Sequence, residues 1–422
     1  MVAVPLTCAR VGFGTIARIH EDALRRLGVR TVAVIETDVA RHGAVREAGL
    51  TPVAGYAEAA AMRPDFWDIC TPTGCHAEVL EEISGCAPDA PVVIEKPICD
   101  HADLARLLPI LERHRGGIVV NENYSSSAVT AAVVNHLTRT GLTPVKVVVE
   151  MTKHRGRDYL AGRFIDPALG AFGYEGTHLI AAVAALGDAR GQDYLDGAVY
   201  DIDVDNVALT DAAGSALDGS QWDTDAAEGR VGLSRQGGAF VGYRTPGGCE
   251  VELYTSLSGI VGYPCPPYAP AAPRIEQSDA VTRYRIFRVD GTTPDGVAQQ
   301  IVGFYEPLPG LDRGQGALAV YREWELAELI APIEDDTMTR HFARILDHVA
   351  GKGPNPFPPE RALRALHLLH QWAGAAGGEP GDDSDEVLGS DDSAAARARE
   401  CARFRVPAGI SAQRPRLRGA RP

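Results

Sequence analysis

The sequence predicts two folding units: an α/β domain around a doubly wound parallel sheet, then an α+β domain with an open, mostly antiparallel sheet and flanking helices. Three observations carry this. Short apolar runs alternate with helix-like segments through the first 125 residues, the first run ends in a glycine turn, and beyond residue 145 strand-like runs follow one another with few helices between them.

In the first part the strongest strand runs are 6–12, 30–36, 66–70, 92–95 and 118–121, with helical patterns such as 39–48, 75–84 and 101–114 between them. In the second part strand-like stretches occupy 145–151, 198–210, 249–257, 281–290 and 298–305, and two late helices, about 335–350 and 359–373, return to cover the sheet or brace the first domain. The expected organisation is a dinucleotide-binding domain over 1–125, a substrate and oligomerisation domain over 126–373, and a tail over 374–422. The polar 211–230 and the proline-dense 262–273 read as inserted surface loops, the second placed to touch a ligand or a neighbouring subunit. The tail runs from acidic to basic and is poor in apolar residues, so it is expected to be disordered apart from a short helix near 393–404.

Composition narrows the function classes. A chain of 422 residues, 45% hydrophobic, can bury two sizeable cores. A net charge of −15 argues against nucleic acid and membrane surfaces as partners. Eight scattered cysteines with no C-x-x-C pair fit buried, reduced thiols in a cytoplasmic protein. The opening MVAVPLTCAR has no charged leader, and no run approaches a membrane span.

Two local patterns point to chemistry. LTCARVGFGTIARIH reads as strand, glycine turn and helix, and Gly12, Gly14 and Ala17 fit G-x-G-x-x-A. In that form the first glycine makes the turn, the second admits a pyrophosphate to backbone N–H groups of the Gly12-Phe13-Gly14-Thr15-Ile16 segment, and the alanine lets helix and strand approach. The next strand ends in Glu36, 22 residues after Gly14, where a carboxylate accepts hydrogen bonds from a ribose diol and repels a 2′-phosphate. NAD is therefore expected over NADP. The second pattern is PVVIEKPICDH, an apolar run stopped by Glu95-Lys96-Pro97, which sets an ammonium group at the carboxyl edge of a parallel strand. Only four of the 41 basic residues are lysines (96, 146, 153 and 352), so Lys96 stands out, although a solvated strand-end lysine is the plainer reading. Pro97 stiffens the backbone before it and permits a cis peptide bond.

Taken in order, these motifs resemble those of the glucose-fructose oxidoreductase and inositol dehydrogenase (Gfo/Idh/MocA) family over roughly residues 6–373. GFGTIARIH is similar to the family's opening. WDICTPTGCH resembles its strand ending in a Thr-Pro turn followed by His, which implies that Thr71 and Pro72 line the nicotinamide half of the cofactor and that His76 also binds the cofactor. Glu95-Lys96-Pro97 is similar to its characteristic tripeptide, and VNENY implies that Asn123 faces the nicotinamide. GPNPFPPERALRALHLLHQW resembles its closing helix. The family's D-x-G-x-H signature is matched only in part, because GAFGYEGTHLIAA keeps Gly170, Gly176 and His178 but has Tyr174 at the acid position and Ala181 three residues after the histidine. Ser125 replaces an arginine common in the family.

The resemblance implies a Rossmann domain followed by an open-sheet domain, and an NAD-dependent oxidoreductase acting on a hydroxyl or ketone of a sugar, aminosugar or cyclitol. Hydride transfer of this kind needs positioning, a proton acceptor and positive charge near the reacting oxygen. Lys96 is assigned the oxygen, His178 the proton, and Tyr174 a bond to the same oxygen; a packed core histidine is the alternative for His178. Glu175, three residues before His178, shares its helix face, and a single Glu-x-x-His gives no reason to expect a metal. Lys153, Arg155 and Arg157 in KHRGR suit a phosphate, a carboxylate or several hydroxyls if the run folds towards the cofactor, and need no explanation as a solvated loop. An imine or other carbonyl reductase is the alternative within enzymes, and a catalytically idle dinucleotide-binding protein the alternative outside them. The resemblance also implies a homo-oligomer built through the open sheet.

Overall fold

In the computed structural model the described residues are 5–153, 172–204, 210–211, 231–232, 238–257, 263, 283–323 and 325–376. They fall into two compact units, the first containing the described residues up to 126 and 336–367, the second those within 127–335 and 368–376.

The first unit alternates strand and helix as its sequence requires: β1 (Thr7–Val11), α1 (Thr15–Arg26), β2 (Arg30–Ile35), α2 (His42–Glu47), β3 (Pro52–Val53), α3 (Tyr56–Ala61), β4 (Phe66–Ile69), α4 (His76–Cys86), β5 (Val92–Glu95), α5 (Leu104–Arg113) and β6 (Ile118–Asn121). Their order in the sheet is β3-β2-β1-β4-β5-β6, all parallel, the doubly wound Rossmann arrangement. Strand order reverses between β1 and β4, so the carboxyl ends of β1, β2, β4, β5 and β6 bring together the glycine turn, Glu36, Thr71, Lys96 and Asn123.

Before the second-unit elements are complete the chain needs α6 (Ala128–Thr140), β7 (Thr143–Lys153), α7 (Thr177–Arg190), β8 (Ala198–Val204), a two-residue pair β9 (Thr210–Asp211) with β10 (Val231–Gly232), β11 (Gly238–Arg244), β12 (Glu250–Ser256), β13 (Arg283–Thr292), β14 (Ala298–Phe304), β15 (Gln315–Arg322) and β16 (Glu325–Glu334). Two helices follow, α8 (Thr337–Val349) and α9 (Pro359–Ala376). Residues 336–367 cluster with the first unit. The physical reason is packing. Asp336 caps α8 by accepting from Thr339 N–H at 3.1 Å, and Phe342 and Ile345 enter one buried cluster with Ala23 and Leu24 of α1 and Phe66, Val93 and Val119 of the sheet.

The large sheet of the second unit has the order β16-β15-β14-β13-β7-β12-β11-β8. Every neighbouring pair is antiparallel except β7 with β12. Ser127 caps α6 through the N–H groups of Val129 and Thr130, and Asp335 accepts from both Ser127 Oγ and Ala128 N, fixing the helix start. α6 lies against one face of the sheet at Gly303 and Gly316, and on the opposite face Tyr284, Ile286, Val302, Phe304, Ala317, Ala319 and Tyr321 form a second core.

Three strands of the large sheet lie outside the runs expected from the sequence. β11 carries two glycines, and β15 and β16 have the Ala, Leu and Glu content of helices. β16 is an exposed edge, and its three glutamates and Pro332 suit an edge that must not pair further. Residues 205–209 of the strand expected at 198–210, most of both proposed insertions, and 377–422 lie outside the described residues. Among the described residues no helix is long and apolar enough to cross a membrane. Cys8, Cys70, Cys99 and Cys249 are buried and free as expected, whereas Cys75 and Cys86 are exposed.

Gly316 has no room for a side chain, because a Cβ there would stand 2.5 Å from the Phe304 carbonyl oxygen and 2.5 Å from Val129 Cγ2. Backbone oxygen in a sheet cannot step aside, so Gly316→Ala should destabilise the protein by roughly 1–3 kcal/mol. Urea unfolding followed by circular dichroism checks this, and an unchanged midpoint would contradict the packing described.

Candidate functional site

The glycine turn is built for close approach. Gly12 has φ of +87°, and a Cβ on it would lie 2.9 Å from the Cys70 carbonyl oxygen, so both conformation and space demand glycine. Gly14 precedes α1 with no atom within 4 Å of where its Cβ would be, and Ala17 is fully buried against the strand. No side chain caps α1 and no acid lies in its first turn, which leaves its N–H groups free to receive an anion. Glu36, at the end of β2, accepts from Phe13 N–H and from Asp38 N–H, both at 2.9 Å. Each carboxylate oxygen is thereby oriented while keeping further lone pairs for a donor such as a ribose hydroxyl.

Beneath this edge lies a buried charge network. Arg10, in the middle of β1, donates through Nε to Asp68 Oδ2 at 2.8 Å and through Nη1 to Glu21 Oε2 at 2.7 Å. Thr31 Oγ1 donates to the same Glu21 oxygen at 2.6 Å. His20 sits between two acids, Nδ1 being 2.9 Å from Asp68 Oδ1 and Nε2 2.8 Å from Glu95 Oε1, with Asn121 Nδ2 on Glu95 as well. Burial disfavours the charged ring, but the neighbouring Cys70 sulfur and Asp68 carboxylate outweigh it and hold the His20 pKa well above its ordinary value. The two acids move the other way: against the cost of burial, the His20 and Arg10 charges hold Asp68 well below its usual range, and the bond from His20 lowers Glu95. The ligating atoms of His20, Asp68 and Cys70 lie within 4.8 Å of one another, but the Arg10 guanidinium on Asp68 makes the group a charge-balanced network rather than a cation site.

Lys96 follows Glu95 directly, partly exposed, and the Lys96-Pro97 peptide is cis. His76 is buried, with Nδ1 3.0 Å from the Pro97 carbonyl and Nε2 2.9 Å from the Thr71 carbonyl. It ties the turn after β4 to the turn after β5. Pro72 is exposed beside it, and Asn123 donates to Thr337 Oγ1 at 2.7 Å.

In the second unit, Phe172–Gly176 form one turn of π-helix running into α7, a widened geometry that proteins favour at functional sites. Gly176 faces Leu369, whose Cδ2 would be 2.5 Å from a Cβ. Glu175 is buried and ion-paired with Arg285 of β13 at 2.9 Å, and Arg285 also reaches Glu306 at 3.5 Å. His178 is buried in the first turn of α7, 7% exposed. Lys153, at the end of β7, is 2% exposed, so its ammonium group is a buried one. The backbone of Tyr174 belongs to the π-turn, while its side chain, Arg155, Arg157 and Gly170 lie outside the described residues.

The sequence reading missed Arg10, His20, Asp68, Asn121 and Arg285. The signal was present for three of them: Arg10 in TCARV, Asp68 in FWDI and Arg285 in RYRIFRV interrupt strands whose neighbours are buried, and a charge in such a place requires a partner.

Residues 6–122 match the model of the oxidoreductase family with an NAD-binding Rossmann fold. No curated protein matches the chain. Among solved structures, an oxidoreductase from Agrobacterium radiobacter in complex with NAD+, L-tartaric acid and magnesium is 16% identical, with 89% of this chain and 97% of that one covered and a TM-score of 0.59. UDP-N-acetylglucosamine 3-dehydrogenase from Acidithiobacillus ferrooxidans is 14% identical, covering 87% and 97%, with a TM-score of 0.57. A proposed NADPH-dependent oxidoreductase from Desulfitobacterium hafniense is 14% identical, covering 89% and 96%, with a TM-score of 0.62. At these identities the structural likeness establishes the fold.

His341, fully buried on α8, gives the first unit a defined response to acid. Its Nδ1 lies 2.8 Å from Ser126 Oγ, and burial pushes its pKa from 6.5 down to about 4 although Glu122 pulls the other way. The folded value is below the unfolded one, so the stabilisation is complete above pH 6.5 and is lost as pH falls towards 4. It amounts to roughly 3 kcal/mol. His20 has the opposite sign, its contribution being complete below its ordinary pKa and lost as pH rises through the raised folded value. Replacing His341 by Gln should therefore flatten the loss of stability between about pH 6.5 and about pH 4 relative to wild type, measured by urea unfolding across that range. Parallel curves for the two proteins would contradict it.

Proposed function

We propose, from the match of residues 6–122 to the oxidoreductase family with an NAD-binding Rossmann fold, that the protein interconverts a secondary hydroxyl and a ketone on a sugar, aminosugar or cyclitol. The observation that carries this reading is Lys96, an ammonium group at the carboxyl end of β5 on the same sheet edge as the uncapped start of α1. A nucleotide-sugar dehydrogenase among the structural relatives supports the substrate class.

The residues fit a nicotinamide dinucleotide. The open space at Gly14 and the N–H groups of Gly14, Thr15 and Ile16 at the uncapped helix start would hold a pyrophosphate, Glu36, oriented by the Phe13 N–H, a ribose diol, and Thr71, Pro72 and Asn123 the nicotinamide half. When bound, that group supplies the two-electron acceptor or donor. Lys96 donates a hydrogen bond to the substrate oxygen and stabilises negative charge as it develops there. His178 takes or returns the hydroxyl proton, as an imidazole can near neutral pH. Tyr174, standing where the family's acid is expected, contributes a hydroxyl to the same oxygen. That replacement also favours a second reading, reduction of an imine or other carbonyl, in which a neutral phenol serves as the proton donor. Lys153 and the cations of 155 and 157 would hold substrate oxygens, and the homo-oligomer would form through the large sheet.

Turnover of NAD+ against myo-inositol, free sugars and UDP-N-acetylglucosamine, and of NADH against the matching ketones and cyclic imines, tests the assignment. Oxidation of one of the alcohols supports it, turnover of imines alone supports the second reading, and tight NAD binding with no turnover on any of them would leave a dinucleotide-binding protein without catalysis.

Lys96→Ala should lower turnover by about 10²–10³ while leaving NAD affinity nearly unchanged, because the charge it opposes grows towards the transition state. Steady-state rates beside a fluorescence titration of the cofactor separate the two, and near-wild-type turnover would remove the reading.

Cofactor preference follows from Glu36. NAD should bind more tightly than NADP, and Glu36→Ala should narrow the difference by removing repulsion of a 2′-phosphate. Equal affinity of the wild-type protein for both, read by the same titration, would refute this assignment.

A further inference from the structure

Two buried histidines that the reaction does not use directly flank the lysine that it does. We propose that His20 and His76 are positioning residues for Lys96, each holding one of the two residues on either side of it in the chain. This rests on the reading that Lys96 acts on the substrate oxygen.

The geometry is complementary. On one side, the Glu95 carboxylate is gripped by His20 Nε2 at 2.8 Å and by Asn121, and His20 is itself fixed by Asp68 at 2.9 Å. On the other side, the Pro97 carbonyl lies 3.0 Å from His76 Nδ1, and the far nitrogen of that ring faces the Thr71 carbonyl at 2.9 Å. Lys96 therefore leaves a backbone held at both neighbours by rings that reach in from α1 and from the start of α4. Its own flexibility is confined to the side chain. Both His20 nitrogens face carboxylates, so the ring bonds both acids only as a cation carrying two protons. A neutral replacement would leave Asp68 and Glu95 to repel each other and displace Glu95. Catalytic groups must be held to within about 0.5 Å, and a displacement of about 1 Å can cost on the order of 10²-fold in rate.

The scarcity of lysine makes the displacement directly observable. With [ε-13C]lysine in the full-length chain bound to NAD+, four signals are expected, from residues 96, 146, 153 and 352, and the first is assigned by its loss in Lys96→Ala. In His20→Gln and in His76→Gln the Lys96 signal should move while the other three stay in place. A Lys96 signal unmoved in both folded variants, or all four moving together, overturns the proposal. Kinetics with the alcohol turned over fastest add a second readout. Replacing His20 by Gln should lower kcat about 10- to 10²-fold with KM and NAD affinity held, and should add nothing in the Lys96→Ala background. Additive losses would mark His20 as structural only and overturn the proposal. If Lys96→Ala itself keeps wild-type turnover, the proposed function fails while the lysine signals still decide the positioning. Should His20→Gln not fold, His76→Gln and Glu95→Gln carry the same measurements to a decision.

Discussion

The first unit depends on one interaction: an imidazole, fully buried, with a carboxylate on each side. His20, Asp68 and Glu95 come from α1, β4 and β5, and Arg10 of β1 and Asn121 of β6 complete the set, so the network crosses the centre of the sheet. Buried charge is costly unless every member is paired, and removing one partner from such a group leaves the others uncompensated. That penalty is what specifies geometry. A purely apolar core would hold these strands together, but it would tolerate small slips that a set of directed bonds does not.

The second unit handles charge differently. Its buried ion pair, Glu175 with Arg285, links the π-turn at the head of α7 to the neighbouring sheet, so the widened turn is held at a side chain as well as by its own backbone. The backbone of Tyr174 belongs to that turn, and His178 follows it in the first turn of α7. A helix start that is both wound differently and pinned from the side holds the backbone leading into the histidine that follows.

Much of this was legible in the sequence because it depends on local rules. Alternation of apolar runs with helix-period segments marked five of the six strands of the first sheet nearly to the residue, and glycines at 12 and 14 required the turn they make. Lys96 stood out through scarcity and through the proline after it. What could not be read was set by distant partners. β16 has a helix-like composition and becomes a strand because β15 offers it a ladder, and α8 joins the first unit because α1 presents it an apolar face. His76 shows the same limit at one residue: that its ring joins two backbone carbonyls depends on the three-dimensional placement of both.

The return of α8 to α1 has a consequence for synthesis. Arg26 meets Asp336 across 310 residues of sequence, and Phe342 and Ile345 close the cluster around Ala23 and Leu24. A nascent chain therefore emerges from the ribosome with the sheet of its first unit ready to assemble and one side of α1 uncovered, and it stays so until the whole intervening unit has been made. During that interval the uncovered helix is a surface for wrong partners, and any message truncated before residue 345 would yield a product that keeps it exposed.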